Sequence, residues 1–419
     1  MTDFAAMNRR RLLGTSLAAL PLLGAGGLAR NALAATDISY WHHFTSQTEA
    51  AGLARVMELF GKAYPDITVT PENIPNAEYM TKLTATLVAG SRPASGMVTA
   101  TRFPDIYALG GLVDLSGKMA DWPLKDAFSA AAFEPVTVDG GVYGIPCFSF
   151  INWMYYRTDY FEEAGLDGPP DTYEEFLEAA IKLSDPANNR YGFSMRGGDG
   201  GQNFLLDMIQ AWGSPIVVDG QMAIDREKAI EAVRFYAELY TKHKVVPPSA
   251  PNDSYRQIME SFKTGQTAMV WHHTGSLTEI AAALPEGSFM TAIRPTGPAA
   301  RIAQVDHAYN GVMDEALLDP AWDWVSFWGE TDPAIAFLEE TGYFPSSSEA
   351  AADPRIADNP IYAAAVATME FGGPPPAFVG ADGWARTIAF PAFQQVLTGD
   401  ATPEEAVDTM MSGLERTLR

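Results

Sequence analysis

Cysteine is nearly absent: Cys147 is the single one in 419 residues. That excludes a disulfide framework, a cysteine-ligated zinc site and an iron–sulfur cluster. Basic residues are scarce too. Lys and Arg number 28 against 52 Asp and Glu, a formal charge of −24, and such a surface does not suit a phosphate backbone. Nucleic acid is therefore not expected as a partner. After the N-terminus no charge-free apolar run reaches the ~20 residues that span a membrane. The sequence also lacks G-x-x-x-x-G-K-[ST], G-x-S-x-G and H-E-x-x-H, which removes the commonest signals for nucleotide, serine-hydrolase and zinc-protease chemistry. What is present is globular: 47% hydrophobic and 19% charged residues, enough for about two or three domains.

Residues 1–34 read as an export signal. Asn8-Arg9-Arg10-Arg11-Leu12-Leu13 puts a cationic run before an apolar stretch diluted by glycines and broken by Pro21. Ala32-Leu33-Ala34 supplies the small-x-small cleavage pattern. The paired arginines resemble a twin-arginine signal, which exports folded proteins, although Asn8 and Gly14 depart from its usual residues. Cleavage near Ala34 removes four arginines and one aspartate and leaves a charge of −27. No lipid-anchor cysteine follows. The mature protein is expected in the periplasm, as a soluble monomer.

The remaining chain alternates strand and helix. Ile38–Trp41 reads as a strand. Leu53, Val56, Met57, Phe60 and Tyr64 keep helical spacing, and Pro65-Asp66 end that helix. Ile67–Thr70 predicts a second strand, Tyr79 to Val88 a helix, and Gly96–Thr99 a third strand. This is an α/β pattern with parallel pairing. Further helices are predicted at 173–183, 203–212, 225–243, 255–264, 320–329, 334–340, 360–369 and 386–399, and strands at 191–195 and 267–271. Thr402-Pro403-Glu404-Glu405 announces the last helix, with an N-cap, a proline at N1 and acids in the first turn.

Candidate chemistry is sparse. Gly197–Gly201 offers backbone N–H groups to an anion, or is a plain turn. His42-His43 and His272-His273 lie at strand ends, where successive side chains point to opposite faces. One histidine of each pair can face a cleft, and a metal would need one from each plus a carboxylate. Adjacent acids such as Glu174-Glu175 fall on predicted helices and read as solvated faces. Trp41, Trp153, Trp212, Trp271 and Trp384 lie near strand ends, turns or a helix start. There a flat apolar face can stack on a sugar ring or simply pack. Trp322, Trp324 and Trp328 share one helix, and at least two of them should be core.

Several short motifs follow one another in order: Gly141-Val142-Tyr143-Gly144-Ile145-Pro146, Met154–Phe161 with Ala164-Gly165-Leu166, Pro170-Asp171-Thr172-Tyr173-Glu174-Glu175-Phe176, Phe262–Met269, Thr341–Pro345, and Gly399 with Glu404-Glu405-Ala406. With them the chain resembles the extracellular solute-binding proteins of ABC importers, in particular the carbohydrate-binding, maltose-binding-protein-like group. The resemblance implies a periplasmic-binding-protein fold: two α/β lobes around a ligand cleft, joined by a hinge of several crossovers. The lobes would be 36–146 plus 312–344 and 147–311 plus 345–419. It implies capture of a sugar or sugar derivative, delivery to a membrane permease, no catalysis and no cofactor or resident metal.

Aligned motifs then suggest ligand-binding residues. His43, Phe44 and Thr45 follow the first strand, and Thr99, Thr101 and Arg102 the third. Asn152 and Trp153 lie just past the first crossover. Arg196 and Gly197 follow a later strand, Trp271, His272 and Gly275 another, and Asn310 and Gly311 lie at the second crossover. Trp384 and Arg386 open the penultimate helix. Arg102, Arg196 and Arg386 would suit an anionic ligand such as a sulfo-, phospho- or carboxy-sugar, unless they pair with acids or bond neutral hydroxyls. Other cargo (metal, polyamine or peptide) and an exported glycoside-processing enzyme are the alternatives. The enzyme would need two convergent carboxylates, and none of these candidates is acidic.

Overall fold

Eight strands make one continuous sheet in the computed structural model, which describes residues 35–419; the export signal expected at 1–34 lies outside the described residues. The strands are β1 (Thr36–His42), β2 (Ile67–Asn73), β3 (Ser95–Thr99), β4 (Ile145–Arg157), β5 (Tyr191–Ser194), β6 (Thr267–His273), β7 (Phe289–Ala292) and β8 (Val305–Val312). Their order is β2-β1-β3-β8-β4-β6-β5, with β7 also pairing β4. β1 is parallel to both β2 and β3, as the alternation of strand and helix requires. The helix Gln47–Ala63 follows β1 behind a capping box formed by Ser46 and Glu49. That box satisfies N-terminal amides that would otherwise lack partners. The helix predicted at Tyr173–Leu183 is found over the same residues, and Pro403–Thr417 carries the expected Thr402 cap.

β4 and β8 join the two α/β halves. β4 is 13 residues long. Its first part pairs with β8, from Ile145 opposite Asn310 to Ile151 opposite Val305. Its second part pairs with β6 and β7 through Asn152–Arg157. β8 runs on to pair with β3, and a bulge between Ala308 and Tyr309 shifts its register. Such a bulge bends a strand where it changes company. A third link is the two-way backbone bridge between Ser149 and Phe344. Neither β8 nor β7 was expected as a strand.

Aromatic packing fills each half. Tyr40, Phe60, Phe148, Trp324, Trp328 and Phe337 meet in one cluster. Trp324 and Trp328 are fully buried and Trp322 nearly so, which meets the expectation for that helix. In the other half Trp271 is surrounded by Tyr173, Phe176, Phe193 and Tyr236. The Arg294 guanidinium lies 4.6 Å from its ring centroid. Arg294 is wholly buried and is held by an ion pair with Asp207, itself bonded by Gln304 Nε2 at 2.8 Å. Arg294 Nε and Nη2 have no hydrogen-bond partner among the described residues, and the guanidinium rests on the Trp271 ring instead.

Candidate functional site

The C-terminal ends of β1 and β3 open onto one cavity of about 140 Å³. At the end of β1 the backbone turns back, with the Phe44 amide donating to His42 Nδ1 at 3.3 Å. His42 is thereby packed and His43 faces the cavity. At the end of β3 the Arg102 amide closes a turn on the Thr99 carbonyl at 3.0 Å, which presents Thr99, Thr101 and Arg102 together. The opposite wall comes from Gln202 and Asn203 at the start of the helix Gln202–Ala211, from Asp306 on β8, and from Phe378 to Arg386. Trp384 lines the cavity from a nearly buried position and anchors its Nε1 on the Met410 carbonyl at 3.0 Å. A π-helical turn at Ala385–Ala389 follows it, a distortion that often marks functional positions.

Three buried polar atoms in this cavity wall have no hydrogen-bond partner among the described residues: His43 Nδ1, Arg102 Nη1 and Asp306 Oδ1. Leaving such atoms unpaired costs about 1–3 kcal/mol each. Burial drives their protonation equilibria away from charge. His43 falls to about 3 through desolvation, helped by Arg102 and His42, and stays neutral. Asp306 rises to about 7 through desolvation alone. The Arg102 guanidinium is also lowered by desolvation, with Asp382 opposing; its Nη2 donates to the Asn76 carbonyl at 2.9 Å.

A second cavity, about 240 Å³, shares His43 and Asn76 with the first. It is lined by Thr45, Glu49, Phe150, Arg196, Tyr255, His272, His273, Gly275 and Tyr343. Its rings are held in place by hydrogen bonds. Tyr343 Oη donates to Glu49 Oε1 and Tyr255 Oη to Glu279 Oε2, both at 2.8 Å. His273 is depressed to about 3 by desolvation and by Arg196. Among the described residues no three His, Cys, Asp or Glu side chains converge as metal ligands.

Ten of the sequence-based candidates therefore line these adjoining cavities: His43, Thr45, Thr99, Thr101, Arg102, Arg196, His272, Gly275, Trp384 and Arg386. The other seven do not. Phe44, Trp153 and Trp271 are core side chains, 2%, 0% and 1% exposed. Asn152 is buried in β4, its amide bonded to the Gln304 carbonyl at 2.9 Å. Asn310 accepts from Tyr40 Oη at 2.9 Å inside the sheet. Gly311 packs against Leu112 and Tyr143, and Gly197 against the Ala250 carbonyl. The glycine loop is not an anion cradle either. Its Gly197 and Gly198 amides donate to the Ala250 and Asp253 carbonyls, and it wraps Arg196, whose Nε donates to the Asp199 carbonyl at 2.7 Å.

The cavities also hold acids that the sequence reading missed: Asp306 and Asp382 in the first, Glu49 in the second. Asp382 stands four residues before Arg386, a helical spacing that was visible in the sequence. Arg386 Nε donates to it at 2.8 Å, and Nη1 to Asp199 at 2.8 Å.

A binding protein of Brucella abortus is 24% identical over 358 residues, covering 83% of this chain and 85% of that one. The mannitol-binding protein of Pseudomonas aeruginosa is 26% identical over 268 residues, 62% of this chain and 58% of its own. A solved solute-binding protein of Thermotoga lettingae, bound with α-D-tagatose, superposes with a TM-score of 0.83 at 22% identity, over 92% of this chain and all of that one. It shows the same fold. Residues 45–335 match the bacterial extracellular solute-binding proteins. The chain belongs to that family, and its cleft is one that binds a solute rather than transforming it.

Proposed function

We propose that this protein is the capture component of an ABC importer: it binds a sugar or polyol in the two adjoining cavities and hands it to a membrane permease. The observation that carries this reading is the trio of unpartnered buried atoms, His43 Nδ1, Arg102 Nη1 and Asp306 Oδ1, around one cavity beside Trp384. Hydroxyl groups both donate and accept, so a polyhydroxylated ligand completes donors and acceptors alike, while Trp384 adds apolar surface to the wall. The names of the mannitol-binding relative and of the tagatose-bound structure support the same class.

The lobes we assign are 36–146 plus 312–344 and 147–311 plus 345–419. The trio then draws on both: His43 and Arg102 from one, Asp306 from the other. Closure brings together what neither lobe holds alone. Export precedes this work, and we assign it to the twin-arginine route through Arg9 and Arg10. The test is a thermal-shift panel on the mature protein: sugars, polyols, divalent metals and polyamines. A ligand at ~100 times its Kd adds about 2.7 kcal/mol. Stabilisation by sugars or polyols is expected; a response confined to metals or polyamines refutes the reading.

A further inference from the structure

The cleft holds three arginines, and among the described residues only one of them is ion-paired with acids. Arg386 is matched by both Asp382 and Asp199. Arg196 lies in the second cavity, enclosed by its own glycine loop. In the wall of the first cavity Arg102 keeps Nη1 without a partner, and Asp306 keeps a free carboxyl oxygen. The titratable and charged groups that share the cavity with Asp306 are His43 from the β1 end, Arg102 from the β3 turn, and Asp382 with Arg386 from the segment after Gly380, and Tyr309 on its own strand interacts with it. Its strand neighbour His307 is engaged elsewhere, by the hydroxyls of Ser149 and Ser346. Burial is what raises the Asp306 carboxyl.

We propose that Asp306 sets the ligand charge that the cleft accepts: its free carboxyl oxygen receives a hydroxyl hydrogen bond from an uncharged sugar or polyol and disfavours carboxylated or phosphorylated analogues. This rests on the sugar-or-polyol reading above. An anion reaching Arg102 enters a site that also contains Asp306 and Asp382. Like-charge repulsion from the ionised carboxyls then disfavours it. An uncharged ligand meets one donor edge and one acceptor and satisfies both. The consequence is proton linkage. A bonded hydroxyl favours the ionised carboxyl, so affinity for the uncharged ligand falls as pH drops below about 7, approaching ten-fold per pH unit.

The test is titration calorimetry with matched pairs: D-mannitol and mannitol 1-phosphate, D-glucose and D-glucuronate, D-glucose and glucose 6-phosphate. Wild type is expected to bind an uncharged member at least ten-fold more tightly than its anionic partner. The Asp306→Asn variant should narrow that gap several-fold and flatten the pH dependence. Tighter binding of an anionic member overturns the assignment and leaves the sugar reading intact. So does an unchanged gap in Asp306→Asn. If no member of any pair binds, the sugar reading falls and Asp306 falls with it. Should Asp306→Asn fail to fold, the wild-type profile from pH 8 to pH 5 decides: a flat affinity for the uncharged ligand refutes the proposal.

Discussion

Replacing Asp306 with asparagine keeps the shape of the side chain and deletes one ionisation. Burial raises the Asp306 carboxyl from 3.8 to about 7 in the folded protein. Between those two pH values the folded state holds a proton that the unfolded chain has released. Stability therefore declines as pH rises across the window. A shift of roughly three units corresponds to about 4 kcal/mol. Below 3.8 the group costs nothing; above 7 the full cost is present. Asp306→Asn removes this dependence, so the difference in unfolding free energy between variant and wild type isolates it from every other titrating group. The assay is denaturant unfolding of both proteins, without ligand, at unit steps from pH 4 to pH 8. The variant should match wild type near pH 4 and exceed it by up to about 4 kcal/mol at pH 8. A difference that does not change with pH refutes the reasoning, because the carboxyl would then titrate alike in both states.

Other residues give sharper local tests. Trp271→Ala empties a site ringed by four aromatic side chains; chemical denaturation should show a loss of about 3–5 kcal/mol, with ligand affinity unchanged in the protein that remains folded. Arg102→Met should weaken ligand binding by one charge-assisted hydrogen bond, about 10- to 100-fold, measured by calorimetry, while the melting temperature holds or rises. Gly200 has φ +86°, and an added Cβ would strike the Arg196 guanidinium. Gly200→Ala should therefore cost more than about 1 kcal/mol and disturb the second cavity, read from the unfolding midpoint and from affinity together. Asp105 Oδ1 accepts from the Gly380 amide at 3.1 Å, tying the Phe103–Ala108 helix to the segment before Trp384. Asp105→Ala should raise the ligand off-rate several-fold in stopped flow.

The α/β pattern was legible because its outer elements are amphipathic. The helix at Tyr173–Leu183 buries Tyr173, Phe176, Ala179, Ala180 and Leu183 and leaves the acids outside, and that spacing is printed in the sequence. β4 and β8 were hidden for opposite reasons. β4 is buried on both faces almost throughout, so it shows no alternation. β8, Val-Asp-His-Ala-Tyr-Asn-Gly-Val, carries residues of low strand propensity. Two of them are there for other work: Asp306 faces the cavity, and Asn310 receives the Tyr40 hydroxyl. Trp271 misled for a related reason. It ends an apolar strand segment just before His272, as a stacking tryptophan would, and nothing local reveals that Tyr173 and Arg294 close over it.

Charge was the least legible property, and the cause is distance along the chain. Three arginines near a cleft can be read from sequence; their partners cannot. Arg386 is neutralised in part by Asp199, 187 residues away, and Asp306 reaches the cavity on a strand that the sequence did not announce. The same geometry explains why the fold keeps unpartnered polar atoms in a buried wall. Elsewhere a buried charge is matched by another, as Arg294 finds Asp207 and Asp207 finds Gln304. In the cleft His43, Arg102 and Asp306 each retain a free atom. Other buried atoms, among them His272 Nε2, Asn310 Nδ2 and Trp324 Nε1, also lack partners among the described residues, but three on one cavity wall mark a site completed by something outside the chain. A ligand offering a donor to Asp306 and an acceptor to Arg102 supplies that completion. The free energy withheld from the empty fold then reappears as affinity.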